Sequence, residues 1–181
     1  MNTYERRQVI IDNMMNLAET EINCSSCKAP CCTFKKNSMR ITPLEAKELY
    51  NYLSENEKLN EELINRLQEC IKEFRLDVTL LMGKRNSFRR TYTCPFFKNQ
   101  SLGCSIPNQF KPYGCLAFNP TQVGVLDGEG CESNVNLLNM REVIDSDEED
   151  LNFQVKQQMK LSWDKESIPV AILDFYNFYR S

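Results

Sequence analysis

Residues 22–34 read INCSSCKAPCCTF and place four cysteines, Cys24, Cys27, Cys31 and Cys32, within nine positions. The first two form a C-x-x-C pair, a spacing that lets two thiolates reach one metal ion in zinc and iron–sulfur sites. Thioredoxin-like redox pairs share this spacing, but there the pair begins a helix after a strand. Here a predicted helix precedes the pair and two more cysteines follow at once, which favours a metal site.

The other five cysteines are of two kinds. Cys94, Cys104, Cys115 and Cys131 each have a glycine or proline next to them in the sequence. Such neighbours let the backbone approach a metal closely and leave amide N–H groups to point at sulfur. Cys70 lies instead on the apolar face of a predicted helix, where cysteine behaves as a small hydrophobe. We therefore interpret Cys70 as a core residue and the other eight cysteines as candidate metal ligands.

The composition restricts the chemistry that such a site can use. The 181 residues include nine cysteines and no histidine, and the net charge is −3. Any soft-metal site must therefore be built from thiolates, with or without a carboxylate, and Ser–His or Cys–His catalysis is excluded. An odd number of cysteines, two of them adjacent, argues against a disulfide framework. Eight thiolates held together without a cation would also carry an uncompensated charge, which a bound metal would offset.

Charge and hydropathy also limit the partners. A slightly acidic chain lacks the basic balance typical of nucleic-acid binders, so we expect no nucleic-acid partner. No apolar run approaches the length of a membrane span. The charged, amphipathic N-terminus lacks the pattern of a signal peptide, which predicts a cytoplasmic protein whose thiols stay reduced.

The pattern of apolar residues and caps predicts a helix-rich fold. Helices are predicted over residues 4–20, from Thr42, from near Asn60 toward Leu81, and over 168–180. Thr42, Pro43 and Glu45 form the clearest helix start, a capping box with proline at the first position. A short strand is predicted over 34–41, and residues 84–142 are predicted to be short strands and turns. Ser146 and Glu149 are interpreted as a second capping box, with the acidic run around them favoured by the helix dipole.

These elements predict a small α-rich α+β protein with a single domain over residues 1–181. In this interpretation, N- and C-terminal helices flank an irregular, cysteine-rich, metal-binding middle with short strands, at about 24–131. Metal binding would supply folding free energy on the order of 10 kcal/mol, which would compensate for the scarcity of regular structure there.

Four motifs in this order, CSSCKAPCC, CPFF, GCSIP and KPYGCLAF, resemble the bacterial YkgJ-like cysteine-cluster family. This CxxCxxCC family is described as a zinc- or iron-chelating domain, and the resemblance runs from Cys24 to about Cys131. The chain departs from the family in having three residues between its second and third cysteines, and in having Lys111 and Leu116 where arginines are common. The ligand set that the resemblance implies is Cys24, Cys27, Cys31, Cys32, Cys94, Cys104, Cys115 and Cys131.

The metal and the activity stay open at this point. Thiolate sets suit zinc and iron alike, the latter also as an iron–sulfur cluster. The eight cysteines can form two four-ligand sites, one polynuclear site with bridging sulfurs, or one cluster with the rest structural.

A metal-binding protein for storage, delivery or redox sensing is the first interpretation. Flagellin lysine N-methylases carry a similar cluster and use S-adenosylmethionine, which offers an enzymatic alternative, although no glycine-rich nucleotide loop follows a predicted strand. A metal-stabilised module that binds a protein partner is the third.

Overall fold

The computed structural model describes residues 3–17, 30–78, 81–82, 86–87, 90–98, 103–120, 131–133 and 135–181. The chain divides into two compact units. Unit 1 comprises Met1–Cys31 and Phe96–Leu151, and unit 2 comprises Cys32–Pro95 and Asn152–Ser181.

Helices dominate the described part of the chain, which confirms the prediction of an α-rich fold. The α-helices are α1 (Thr3–Leu17), α2 (Pro43–Glu55), α3 (Glu61–Phe74), α4 (Tyr113–Leu116), α5 (Val135–Asp147), α6 (Glu149–Gln158) and α7 (Ile168–Arg180). Two 3-10 helices cover Pro30–Cys32 and Asn108–Phe110. The strands are β1 (Arg40–Ile41), β2 (Leu81–Met82), β3 (Asn86–Ser87), β4 (Phe118–Pro120), β5 (Cys131–Ser133) and β6 (Glu166–Ser167). They form three antiparallel pairs, β1 with β6, β2 with β3, and β4 with β5. The single domain and the metal-binding middle stay predictions.

The start of α2 has the predicted capping box. The Thr42 hydroxyl accepts a hydrogen bond from the Glu45 N–H, and the Thr42 N–H donates to the Glu45 carboxylate at 2.8 Å. Pro43 occupies the first turn, where its missing N–H costs nothing. Local side-chain chemistry therefore determines this helix start.

Helix α3 begins as predicted but ends earlier. The Asn60 side chain caps it by accepting from the Leu63 N–H at 2.9 Å. The predicted continuation toward Leu81 is wrong, because the helix stops at Phe74 and Arg75 takes the left-handed conformation at φ 53°. The buried face of α3 consists of Leu63, Ile64, Leu67 and Cys70.

The region before and after residue 142 differs most from the prediction. Residues 135–142 were predicted to be irregular, yet they belong to α5, whose Leu137 and Ile144 are buried in the core of unit 1. Ser146 lies inside the last turn of α5 rather than capping a helix, so the predicted capping box with Glu149 is wrong. Part of the acidic run does begin a helix as predicted, since Glu149 and Asp150 lie in the first turn of α6, whereas the preceding Glu148 is 1% exposed.

The remaining predicted elements are confirmed in part. Helix α1 ends at Leu17, and residues 18–20 lie outside the described part of the chain. Only Arg40–Ile41 of the predicted strand 34–41 is a strand. The stretch 84–118 contains the short helix α4 that the prediction omitted. The C-terminal helix α7 has its predicted bounds.

Each unit has its own packed core. In unit 2, α7 lies against α2 and α3 and buries Ile172 and Phe175 completely. In unit 1, Ile10 of α1 packs with Tyr113 and Leu116 of α4. None of the helices described is long and apolar enough to cross a membrane.

Three helix ends in unit 2 share a backbone geometry that usually requires glycine. Glu57, Arg75 and Lys160 all have φ between 53° and 54°. After each, the next amide donates to a carbonyl five residues earlier, as Leu161 does to Lys156 at 3.0 Å. This is the Schellman pattern, in which glycine is preferred because a Cβ is strained in the left-handed region.

Replacing Lys160 with glycine relieves that strain. We expect Lys160→Gly to raise the free energy of unfolding by about 1 kcal/mol, after subtraction of glycine's greater entropy in the unfolded chain. Urea denaturation measures the change. Gln154→Gly, at an exposed site within α6, is the matched control and should destabilise by about the same amount. Equal destabilisation by both changes would contradict the strain at residue 160.

Candidate metal centre

The structure describes six of the eight candidate ligands. Cys24 and Cys27 lie outside the described residues. Unit 1 contains Cys31, Cys104, Cys115 and Cys131, whereas unit 2 contains Cys32 and Cys94. Cys31 and Cys32 end the 3-10 helix Pro30–Cys32, and Cys131 opens β5 opposite Pro120.

Unit 2 brings two candidate ligands from different motifs next to each other. The Cys94 N–H donates to the Cys32 carbonyl oxygen at 2.8 Å. Beside this bond, the Phe34 N–H donates to the Thr93 hydroxyl at 3.2 Å. The end of the first cysteine motif therefore lies directly alongside the start of the second.

Cys70 contacts the same stretch of backbone through its side chain. Its thiol donates to the Thr93 carbonyl oxygen at 3.3 Å. Burial, with a smaller contribution from Glu73, raises the pKa of the Cys70 thiol from 9.0 to about 12. Cys70 is 6% exposed and carries a neutral thiol at ordinary pH, which confirms that it is a buried residue of α3.

The thiol of Cys104 accepts a hydrogen bond from the backbone. Segments 96–98 and 103–105 pair through an antiparallel bridge between Phe97 and Cys104. Gly103, directly before Cys104, has φ 93°, a conformation that glycine adopts without strain. The Ile106 N–H then points back at the Cys104 sulfur, 3.4 Å away. This amide-to-sulfur contact is the arrangement that the glycine and proline neighbours predicted.

Cys115 lies on the short helix α4, which follows Pro112. The Cys115 N–H donates to the Pro112 carbonyl oxygen at 2.9 Å. Tyr113, Gly114 and Leu116 are buried, whereas Cys115 is partly exposed. Cys115 is therefore the one residue of α4 whose side chain is partly exposed.

A network of largely buried charged side chains contacts α4 and the residues before it. The sequence analysis did not predict this network. The Tyr113 hydroxyl donates to the Glu148 carboxylate at 2.9 Å, and the Arg6 guanidinium pairs with the same oxygen at 3.1 Å. The Arg7 Nε–H donates to the Lys111 carbonyl oxygen at 3.0 Å, and the Arg7 guanidinium lies 4.7 Å from the centre of the Tyr113 ring.

One sequence signal pointed to this network. Arg7 precedes Ile10 and Ile11 by three and four positions, so it lies on the apolar face of α1 rather than on the solvent face. The buried state of Glu148 had no such local signal, because its partners are distant in sequence.

The described residues do not by themselves form a complete ligand set. Among the residues that the structure describes, no three Cys, Asp or Glu side chains come together in a group able to hold a metal ion. The donor types fit a thiophilic metal, but the assembly of the eight cysteines, including Cys24 and Cys27, stays a prediction.

Comparison with models of known protein families, with curated proteins and with solved structures found no match for this chain. The resemblance to the YkgJ-like family therefore also stays a prediction.

The raised pKa of Cys70 has a consequence for stability at high pH. Between pH 9 and about 12 the unfolded thiol releases its proton and the folded one keeps it, so stability falls as the pH rises. We expect the stability of the wild type to fall relative to that of Cys70→Ala over this range, by up to about 1.4 kcal/mol per pH unit. Urea denaturation of both proteins from neutral pH to about pH 11 measures the difference. Parallel stability curves would contradict a buried neutral thiol.

Proposed function

We propose that this chain is a metal-binding protein that coordinates zinc or iron, the latter alone or in an iron–sulfur cluster, through thiolates drawn from its eight candidate cysteines. The observation that carries the proposal is the Ile106 amide donating to the Cys104 sulfur at 3.4 Å. Backbone amides directed at sulfur stabilise the negative charge of a metal-bound thiolate and tune the bound metal.

Two further features support this function. The Cys94 amide bonds to the Cys32 carbonyl, which places candidate ligands from separate motifs side by side. Cys115 is partly exposed on a helix that is otherwise buried. With no histidine in the chain, the soft ligands at these positions are the cysteine thiolates.

The residues named here hold the metal, and the metal supplies either structural cross-linking or redox chemistry when bound. Purification without oxygen, followed by measurement of metal, acid-labile sulfide and the visible spectrum, distinguishes the two. Iron with sulfide supports a redox or enzymatic role. Zinc that resists chelators supports a structural module, and zinc that exchanges without unfolding supports storage or delivery. A folded protein without metal would overturn the proposal.

Cys94 and Cys70 provide a matched pair of substitutions. Both are buried, at 7% and 6% exposure, and both lie beside the same peptide group. We expect Cys94→Ser to lose bound metal, because a serine hydroxyl is a poor ligand for soft metals. Cys70→Ser should keep the full metal content, since its hydroxyl can still donate to the Thr93 carbonyl.

Elemental analysis of the purified variants measures the result, and Cys115→Ser should behave like Cys94→Ser. Circular dichroism of each variant separates loss of metal from failure to fold. Equal metal loss in Cys70→Ser and Cys94→Ser would show that the division of the nine cysteines is wrong.

A further inference from the structure

The position of the Cys115 thiol depends on residues 111–115, here called the KPYGC segment. This segment contains the entry turn and the first three residues of the short helix α4, and a helix of four residues has little stability of its own. Its geometry must come from tertiary contacts.

Those contacts come from α1 and from the junction of α5 and α6. Arg7 of α1 donates to the Lys111 carbonyl oxygen at the start of the segment, and its guanidinium lies over the Tyr113 ring. Glu148 accepts from the Tyr113 hydroxyl at 2.9 Å. The Arg6 guanidinium forms an ion pair with the same Glu148 oxygen at 3.1 Å, which offsets the charge of the buried acceptor.

Burying these charged side chains costs desolvation free energy that an apolar core would not. Glu148 is 1% exposed, Arg7 is 3% exposed and Tyr113 is fully buried. Apolar side chains of similar volume would fill such a space at no desolvation cost. Hydrogen bonds and ring stacking have strict directional requirements, so they determine the orientation of the segment more narrowly than apolar contacts would.

We propose that Tyr113, Arg7 and Glu148 are positioning residues, which together hold the KPYGC segment so that the Cys115 thiol is oriented for metal coordination. This inference rests on the proposed metal-binding function and extends it to residues outside the cysteine motifs. A metal-ligating group must be held to within about 0.5 Å of its productive position, and supporting contacts provide that accuracy.

The variant Tyr113→Phe tests the proposal, because it removes only the hydroxyl that bonds to Glu148. Tyr52→Phe is its matched control. Tyr52 is also buried, its hydroxyl also bonds to a charged side chain, Lys58, and that cation also lies 4.7 Å from the ring centre. Tyr52 belongs to α2 of unit 2, within a helix that carries no cysteine.

The probe is cobalt(II), added after a chelator has removed the metal with which the protein was purified. Cobalt bound to thiolates absorbs through sulfur-to-metal charge transfer, so the band intensity reports how many sulfurs bind. We expect Tyr113→Phe to weaken cobalt binding about tenfold and to reduce the charge-transfer band at saturation. Tyr52→Phe should leave both the affinity and the band unchanged. A purely structural role for Tyr113 would lower the unfolding temperature without changing the band at saturation.

The outcomes separate this inference from the proposed function. Absence of thiolate bands in the wild type, together with absence of zinc and iron from the protein as first purified, would overturn both. Normal bands in the wild type, with Tyr113→Phe and Tyr52→Phe indistinguishable, would overturn the positioning role alone. Arg7→Lys, which keeps the charge but loses the planar stacking group, serves if Tyr113→Phe does not fold, and it should weaken the band in the same way.

Discussion

Unit 2 depends on one irregular stretch of backbone, Tyr92–Cys94. Its amides donate to the carbonyl oxygens of Asn37 and Cys32, while the Cys70 thiol donates to the Thr93 carbonyl. The Tyr92 hydroxyl also accepts from the Ile168 N–H at the start of α7. Three residues outside any helix or strand thus satisfy buried polar groups from three parts of the unit. The stretch that carries Cys94 is therefore also where hydrogen bonds connect these three parts of unit 2.

Unit 1 differs in that charged side chains contact a helix within its apolar core. Its core contains apolar residues of α1, α4 and α5, but the contacts that orient α4 are charged. A buried carboxylate is tolerated because the Tyr113 hydroxyl donates a hydrogen bond to it and Arg6 forms an ion pair with it. In this unit, the same contacts compensate the buried charge of Glu148 and hold the helix that carries Cys115.

The sequence predicts some features well because they are local. Thr42 and Asn60 cap helices through bonds to amides three residues ahead, and Cys70 repeats with the apolar face of its helix. The end of α3 was not predictable, because a charged residue, Arg75, occupies a conformation normally signalled by glycine. The burial of Glu148 depends on partners distant in sequence, so no local pattern revealed it. For the candidate site, residue type and spacing predict the ligands, whereas which cysteines meet depends on tertiary structure.

The buried thiol of Cys70 also bears on how a chain with nine cysteines survives oxidation. Disulfide exchange requires a thiolate as the attacking group. With a pKa of about 12, Cys70 has almost no thiolate near neutral pH while unit 2 stays folded. Although it lies beside the peptide that leads into Cys94, it cannot readily attack an oxidised neighbour. Folding thus removes one cysteine from the set that could form incorrect disulfides, and unfolding returns it.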